Sequence, residues 1–191
     1  MIRVAIVGEI GCGKSYASKA LGLPVFNADK EVSKIYSSNK KIYLKLKKKF
    51  PRFIRSYPIK KKELFKILIR NRKNIKIISK LVHPIVRRRM NRFLKKNNKK
   101  RAIVLDIPLY FENKINKKKD VVIYIYADKS KILKRLKLRK GFNFKIYYKL
   151  KKIQLKNENK MKKSNFYIKN HFNEKLLKKD INILKLKIFK K

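Results

Sequence analysis

Gly8-Glu9-Ile10-Gly11-Cys12-Gly13-Lys14-Ser15 fits the spacing G-x-x-x-x-G-K-[ST] and follows directly on the apolar run Ile2 to Val7. An unbroken apolar run of that length reads as a strand covered on both faces, and the residues from Lys14 onward read as a helix. Strand, glycine-rich turn and helix start in that order make a cradle for phosphate. The glycines let successive backbone N–H groups curl inward, and the helix N-terminus adds its partial positive charge. In such a loop Lys14 reaches the β- and γ-phosphates, and Ser15 places its hydroxyl on the Mg²⁺ that bridges them. Gly8 to Ser15, with Tyr16 next along the helix, are therefore candidate nucleotide-binding residues. The loop does not say what receives the phosphate, because GTPases, ATPases, motors and small-molecule kinases all use it.

Outward from the loop, strand-like runs recur at Pro24 to Phe26, Ala102 to Leu105, Val121 to Tyr126 and, less clearly, Phe166 to Ile168. Helical stretches separate them, so the expected class is α/β with a parallel sheet of about five strands flanked by helices. Residues 30–100 hold no convincing strand and read as several amphipathic helices, broken near Pro51, Pro58 and Pro84, which form a helical insertion. A second helical excursion, residues 139–163, restarts after Gly141. There Asn143 is placed to cap a helix with Ile146, Leu150 and Ile153 on one face, a segment able to move as a lid. Five glycines and five prolines leave no flexible linker, so residues 1–191 are expected to form one domain.

The chain has 191 residues, of which 44% are hydrophobic, enough for a core despite a net charge of +47. With 58 Lys and Arg against 11 Asp and Glu, attraction to polyanions is expected. The basic residues, however, run along nearly the whole chain rather than forming one face. They accompany many Asn, Ile, Phe and Tyr, all with AT-rich codons, so no specific nucleic-acid partner is expected. A lone cysteine, Cys12, forms no intramolecular disulfide and belongs to no Cys/His metal cluster, which fits the cytoplasm. No run approaches the ~18 apolar residues of a membrane span. The N-terminus lacks the features of a secretory leader.

Further segments narrow the acceptor. Asn27-Ala28-Asp29 closes the second strand, Leu81-Val82-His83-Pro84 sits within the insertion, and Asp106-Ile107-Pro108-Leu109-Tyr110-Phe111-Glu112-Asn113 follows the third strand. Arg135-Leu136-x-x-Arg139 precedes the lid, and Gln154, Lys160, Ile168 and Asn170 come later. In order and spacing these resemble the dephospho-CoA kinases, whose Asp-Ala-Asp, His-Pro, Pro-Leu-Leu-x-Glu, Arg-Leu-x-x-Arg and Ile-x-Asn segments they match from Ile2 to about Asn170. The resemblance implies the P-loop kinase fold, ATP and Mg²⁺ as cofactors, and dephospho-CoA as acceptor. It implies transfer of the ATP γ-phosphate to the ribose 3′-hydroxyl, the final step of coenzyme A synthesis. A monomer is favoured, with no membrane partner.

The segments also have physical uses. Asp29, at the carboxyl end of a strand beside the loop, stands where a carboxylate takes or orients the proton of an attacking hydroxyl; the same position suits a helix cap. Asp106 ends an apolar strand and fits either a Mg²⁺ role or a turn before Pro108. Arg135 and Arg139, four apart on one expected helix, share a face and are placed to grip phosphates; in so basic a chain a solvated surface is the ordinary fate of an arginine. The resemblance implies that the insertion contributes to the acceptor pocket, which makes His83 a substrate contact; a histidine held at a helix break is the equal alternative. The resemblance places Pro108, Leu109 and Glu112 at the substrate and Asn170 near the nucleotide base, where a turn asparagine is equally natural. The chain departs from the family at Val7, Glu9, Asn27, Ser164-Asn165 and Phe172. Glu9 matters most, since a carboxylate near bound phosphates repels them unless it points away or meets a lysine.

Overall fold

The computed structural model describes residues 1–71, 73–139 and 141–189; Arg72, Lys140, Lys190 and Lys191 lie outside the described residues. Five strands, β1 (Ile2–Gly8), β2 (Val25–Asn27), β3 (Ala102–Asp106), β4 (Val121–Tyr126) and β5 (Phe166–Lys169), form one sheet in the order β2-β3-β1-β4-β5. Every pairing is parallel, with Ile6 opposite Asp106 and Asn27 also opposite Asp106. The apolar runs are continuous for the expected reason: Val4, Ala5, Val104 and Leu105 are fully buried, with helices over both faces.

One face is covered by α1 (Lys14–Ala20), α6 (Lys129–Lys137) and α9 (Glu174–Phe189), which pack Ala17, Ile132, Leu136, Leu177 and Ile181 against β1 and β4. The other face meets Met90 of α5 (Lys73–Lys96) together with Ile107, Tyr110 and Phe111 from the loop after β3. Between β2 and β3 the chain builds α2 (Ala28–Ser38), α3 (Lys40–Lys49), α4 (Lys61–Arg70) and α5. These helices close a separate apolar cluster around Ile35, Leu46, Ile54, Ile67 and Val82. The helical insertion therefore has its own core. In the second excursion, α7 (Phe144–Lys151) and α8 (Asn157–Lys162) follow Gly141, and Asn143 Oδ1 accepts from the Ile146 N–H at 3.1 Å, the expected cap.

Three expectations are corrected. Pro84 does not break a helix but lies inside the continuous α5. Its ring removes the N–H that would bond to the Lys80 carbonyl, yet both residues are exposed to solvent, while Ile78, Val82 and Met90 keep the helix packed. The breaks at Pro51 and Pro58 do occur, between α3 and α4. Arg139 is not on a helix with Arg135, because α6 ends at Lys137 and Arg139 follows the cap residue Leu138. Ile153 likewise falls past the end of α7, in the turn before α8. Among the described residues no helix is long and apolar enough to cross a membrane.

Candidate active site

Strand order places the site. β1 lies between β3 and β4; the chain leaves β1 for the outer β2 on one side, and after β3 it crosses back over β1 to β4, so a crevice forms at the carboxyl ends where these connections diverge. The loop Gly8 to Ser15, the end of β2 with Asp29, and the end of β3 with Asp106 all open there. Two glycines are required by geometry. Gly8 (φ 150°) passes so close to the Ile125 carbonyl that a Cβ would overlap it, and Gly13 (φ 98°) lies against the Asn170 amide while starting α1 in the left-handed conformation.

A cavity of about 480 Å³ runs along the loop. Ile10, Gly11, Gly13, Lys14, Ser15 and Tyr16 form one wall; Asp29, Asp106, Pro108 and Leu109 form another. Arg135 and Arg139 close it, so two arginines from different local structures still reach one space. Leu150, Ile153 and Gln154 of the second excursion complete the lining. Lys14 Nζ donates to the carbonyls of Gly8 (3.2 Å) and Glu9 (2.7 Å), which hold the ammonium at the loop. The Arg135 guanidinium stacks over Phe172, 5.1 Å from the ring centroid.

Asp29 does not cap α2. That task falls to Asn27, whose Oδ1 accepts from the Lys30 N–H at 2.8 Å while its Nδ2 donates to Asp106 Oδ2 at 2.6 Å. The Asp29 carboxylate is left to face the cleft. Crowding by the surrounding protein, then the charge of Asp106, pushes its carboxyl above the usual range, with Lys14 opposing. Asp29 also borders a second, more apolar cavity of about 140 Å³, where Val32, Val86, Met90 and Ile115 surround His83 and Arg87. Burial, and then the Arg87 cation, lowers the pKa of His83, which favours the neutral imidazole. Pro108 and Leu109 separate the two spaces and line both.

Several expected site residues do not line the main cavity. Cys12 is buried beneath the loop, its thiol pushed up by burial against the pull of Lys14. Asn170 is buried behind the loop, where its Nδ2 donates to the Cys12 carbonyl at 2.9 Å and its Oδ1 accepts from the Phe172 N–H. Glu112 turns toward the second excursion, accepting from the Leu155 N–H (2.8 Å) and lying 3.5 Å from Lys160 Nζ. Glu9 points its side chain at α7 and α8, where it meets a lysine, Lys151, at 2.6 Å.

A phosphate loop thus faces the carboxylates of Asp29 and Asp106 across one cleft, and comparison with known proteins identifies the family. Residues 2–175 match the family described as dephospho-CoA kinase. The chain belongs to the dephospho-CoA kinase family. It is 32% identical over 184 residues to the dephospho-CoA kinase of Fusobacterium nucleatum, covering 92% of this chain and 93% of the relative. The Bartonella quintana enzyme is 30% identical over 170 residues, 86% and 87% of the two chains. The solved dephospho-CoA kinase from Campylobacter jejuni superposes with a TM-score of 0.66 at 26% identity, over 99% of this chain and 98% of that one. The protein is thus an ATP-dependent phosphotransferase that acts on dephospho-CoA in the final step of coenzyme A synthesis.

Sequence reasoning missed Arg87 and Met90 in the second cavity and the partners of Glu9, namely Tyr147, Lys151 and Asn157. Only the Glu9 departure pointed to the latter group. The hydrophobic face of α7 foretold the Leu150 wall but not its direction.

Proposed function

We propose that ATP lies along the 480 Å³ cavity with its triphosphate on the loop Gly8 to Ser15, and that dephospho-CoA enters past the 140 Å³ cavity. The observation that carries this reading is Asp29, which borders both spaces and whose pKa is raised. Set between donor and acceptor, its carboxylate takes the proton of the ribose 3′-hydroxyl as that oxygen bonds to the γ-phosphorus. The bond to the β-phosphate oxygen breaks, releasing ADP and coenzyme A. A carboxyl pushed upward is the stronger base.

Lys14 exchanges its two carbonyl partners for β- and γ-phosphate oxygens, and Arg135 and Arg139 face the charge that spreads over the moving group. The Ser15 hydroxyl and the Asp106 carboxylate, both on the cavity wall, are hard oxygen donors suited to Mg²⁺. Among the described residues no cluster of three or more His, Cys, Asp or Glu gathers for a metal. That fits an ion carried largely by the nucleotide's own phosphates and water. Bound there, Mg²⁺ would neutralise phosphate charge, and Asn27 holds one oxygen of Asp106 through its amide, leaving the other for the ion.

In this reading residues 30–100 position the acceptor and residues 139–163 act as a lid, bringing Leu150, Ile153 and Gln154 to the cleft and excluding water. A monomer in the reducing cytoplasm completes it, consistent with one buried cysteine. The assignment of the two spaces is tested by His83→Ala in steady-state kinetics. KM for dephospho-CoA should rise roughly tenfold, the loss of one to two polar contacts, with KM for ATP unchanged. A rise in KM for ATP alone would exchange the two spaces.

A further inference from the structure

Glu9 is where the chain departs furthest from what a phosphate loop would be expected to carry, and the residue is only 8% exposed. It has two sets of partners. Through its backbone carbonyl it holds Lys14 Nζ at 2.7 Å. Through its carboxylate it holds the second excursion: Oε1 pairs with Lys151 Nζ at 2.6 Å and accepts from the Tyr147 hydroxyl at 3.3 Å, while Oε2 accepts from Asn157 Nδ2 at 3.2 Å. Tyr147 and Lys151 are four residues apart and share one face of α7; Asn157 begins α8. Between those fastenings run Leu150, Ile153 and Gln154, the residues that wall the main cavity.

We infer that Glu9 is a positioning residue, which sets α7 and the start of α8 against the phosphate loop. Three donors share one carboxylate, so its charge is spent on the lid and does not face the phosphates. An ion pair backed by two further hydrogen bonds at a buried carboxylate fixes geometry better than an exposed pair does. Lys149 adds a fastening on another side of α7, donating to the carbonyls of Leu68 and Ile69 at the end of α4. Glu112 adds one beyond it through the Leu155 N–H. Glu9 differs from these in joining the lid to the very residue that holds Lys14. A lid placed in advance removes part of the ordering cost that ATP would otherwise meet, so the benefit should appear in nucleotide affinity.

The test uses the full-length protein with Glu9→Gln and, from the other side of the pair, Lys151→Gln. Amide hydrogen exchange without nucleotide should quicken about tenfold in residues 144–151 in both variants, while β1 and β4 keep wild-type protection. In steady state KM for ATP should rise roughly five- to tenfold, with kcat changed by no more than about twofold. The kinetic arm rests on the proposed ATP position; the exchange arm does not, so failure of that proposal and failure of the latch are told apart. Unchanged exchange in residues 144–151 would overturn the inference, as would faster exchange throughout the sheet. A fall in KM for ATP would also overturn it, since it would show that the carboxylate repels phosphate.

Discussion

Asp29 and Glu9 both neighbour Lys14, Asp29 through the charge of its carboxylate and Glu9 through its backbone carbonyl, and the protein treats the two carboxylates in contrary ways. Around Glu9 it gathers a lysine, a tyrosine and an asparagine; burial pushes the carboxyl up, but Lys151, Asn157 and Tyr147 together outweigh it and the net pKa is lowered. Around Asp29 it removes help. The capping bond goes to Asn27, burial and then the negative charge of Asp106 raise the pKa, and Lys14 opposes them. A satisfied carboxylate holds structure, whereas one kept short of partners stays available for a proton. Position in the sequence does not separate the two, since each lies beside a strand end at the crevice. Their partners do.

Removing Lys14 should disturb that contrast most. Lys14→Ala is expected to lower kcat by roughly 10²- to 10³-fold, the scale for one preorganised charge-stabilising donor, and to raise KM for ATP. It also removes the cation that restrains Asp29, so the acidic limb of the pH–rate profile should move to higher pH. A limb that stays in place would break the link between the two residues.

Next in size is a carboxylate of the Glu9 kind whose partner lysine is buried. Glu112 faces Lys160, whose side chain is 2% exposed and whose pKa is lowered by burial and by Lys14 against the pull of Glu112. Glu112→Gln leaves that ammonium buried without its counter-charge and should destabilise the fold by about 3 kcal/mol in denaturant titrations. A loss below ~1 kcal/mol would mean that water or another acceptor reaches Lys160.

The smallest effects carry opposite signs. The folded pKa of Glu9 lies below its ordinary value of 4.5, so its stabilisation is present above that pH and is lost as the pH falls through the folded value. Glu9→Gln should therefore melt roughly 2–4 °C below wild type at neutral pH, the shift expected for ~1 kcal/mol, with the gap closing on acidification. For Asp29 the folded pKa lies above the ordinary 3.8, the native state binds the extra proton, and stability falls as pH rises between the two values. Asp29→Asn should accordingly melt above wild type at neutral pH and converge with it in acid. Shifts of the same sign in the two variants would erase the distinction.

The phosphate loop and all five strands could be read in the sequence because local pattern alone encodes them: glycines where φ is positive, and apolar runs where both faces are covered. The placement of Asp29 and Asp106 beside that loop was also legible, although Asp29 lies in the first turn of α2 rather than at the strand end. What escaped were contacts between distant residues. Tyr147 and Asn157 lie 138 and 148 positions from Glu9, and nothing near Glu9 in the chain announces them. Pro84 misled because local propensity argues for a break, whereas packing on Ile78, Val82 and Met90 and an exposed, hydratable turn carry α5 through it. Arg139 was expected on the helix of Arg135; α6 stops two residues short of it, yet the chain still delivers it to the cavity.

The most direct test sets ATP affinity against turnover in Asp29→Asn. Equilibrium ATP binding should stay within about twofold of wild type while turnover with saturating dephospho-CoA falls by roughly 10²-fold or more, the usual scale for a positioned base. Wild-type turnover in that variant would contradict a proton-accepting role for Asp29.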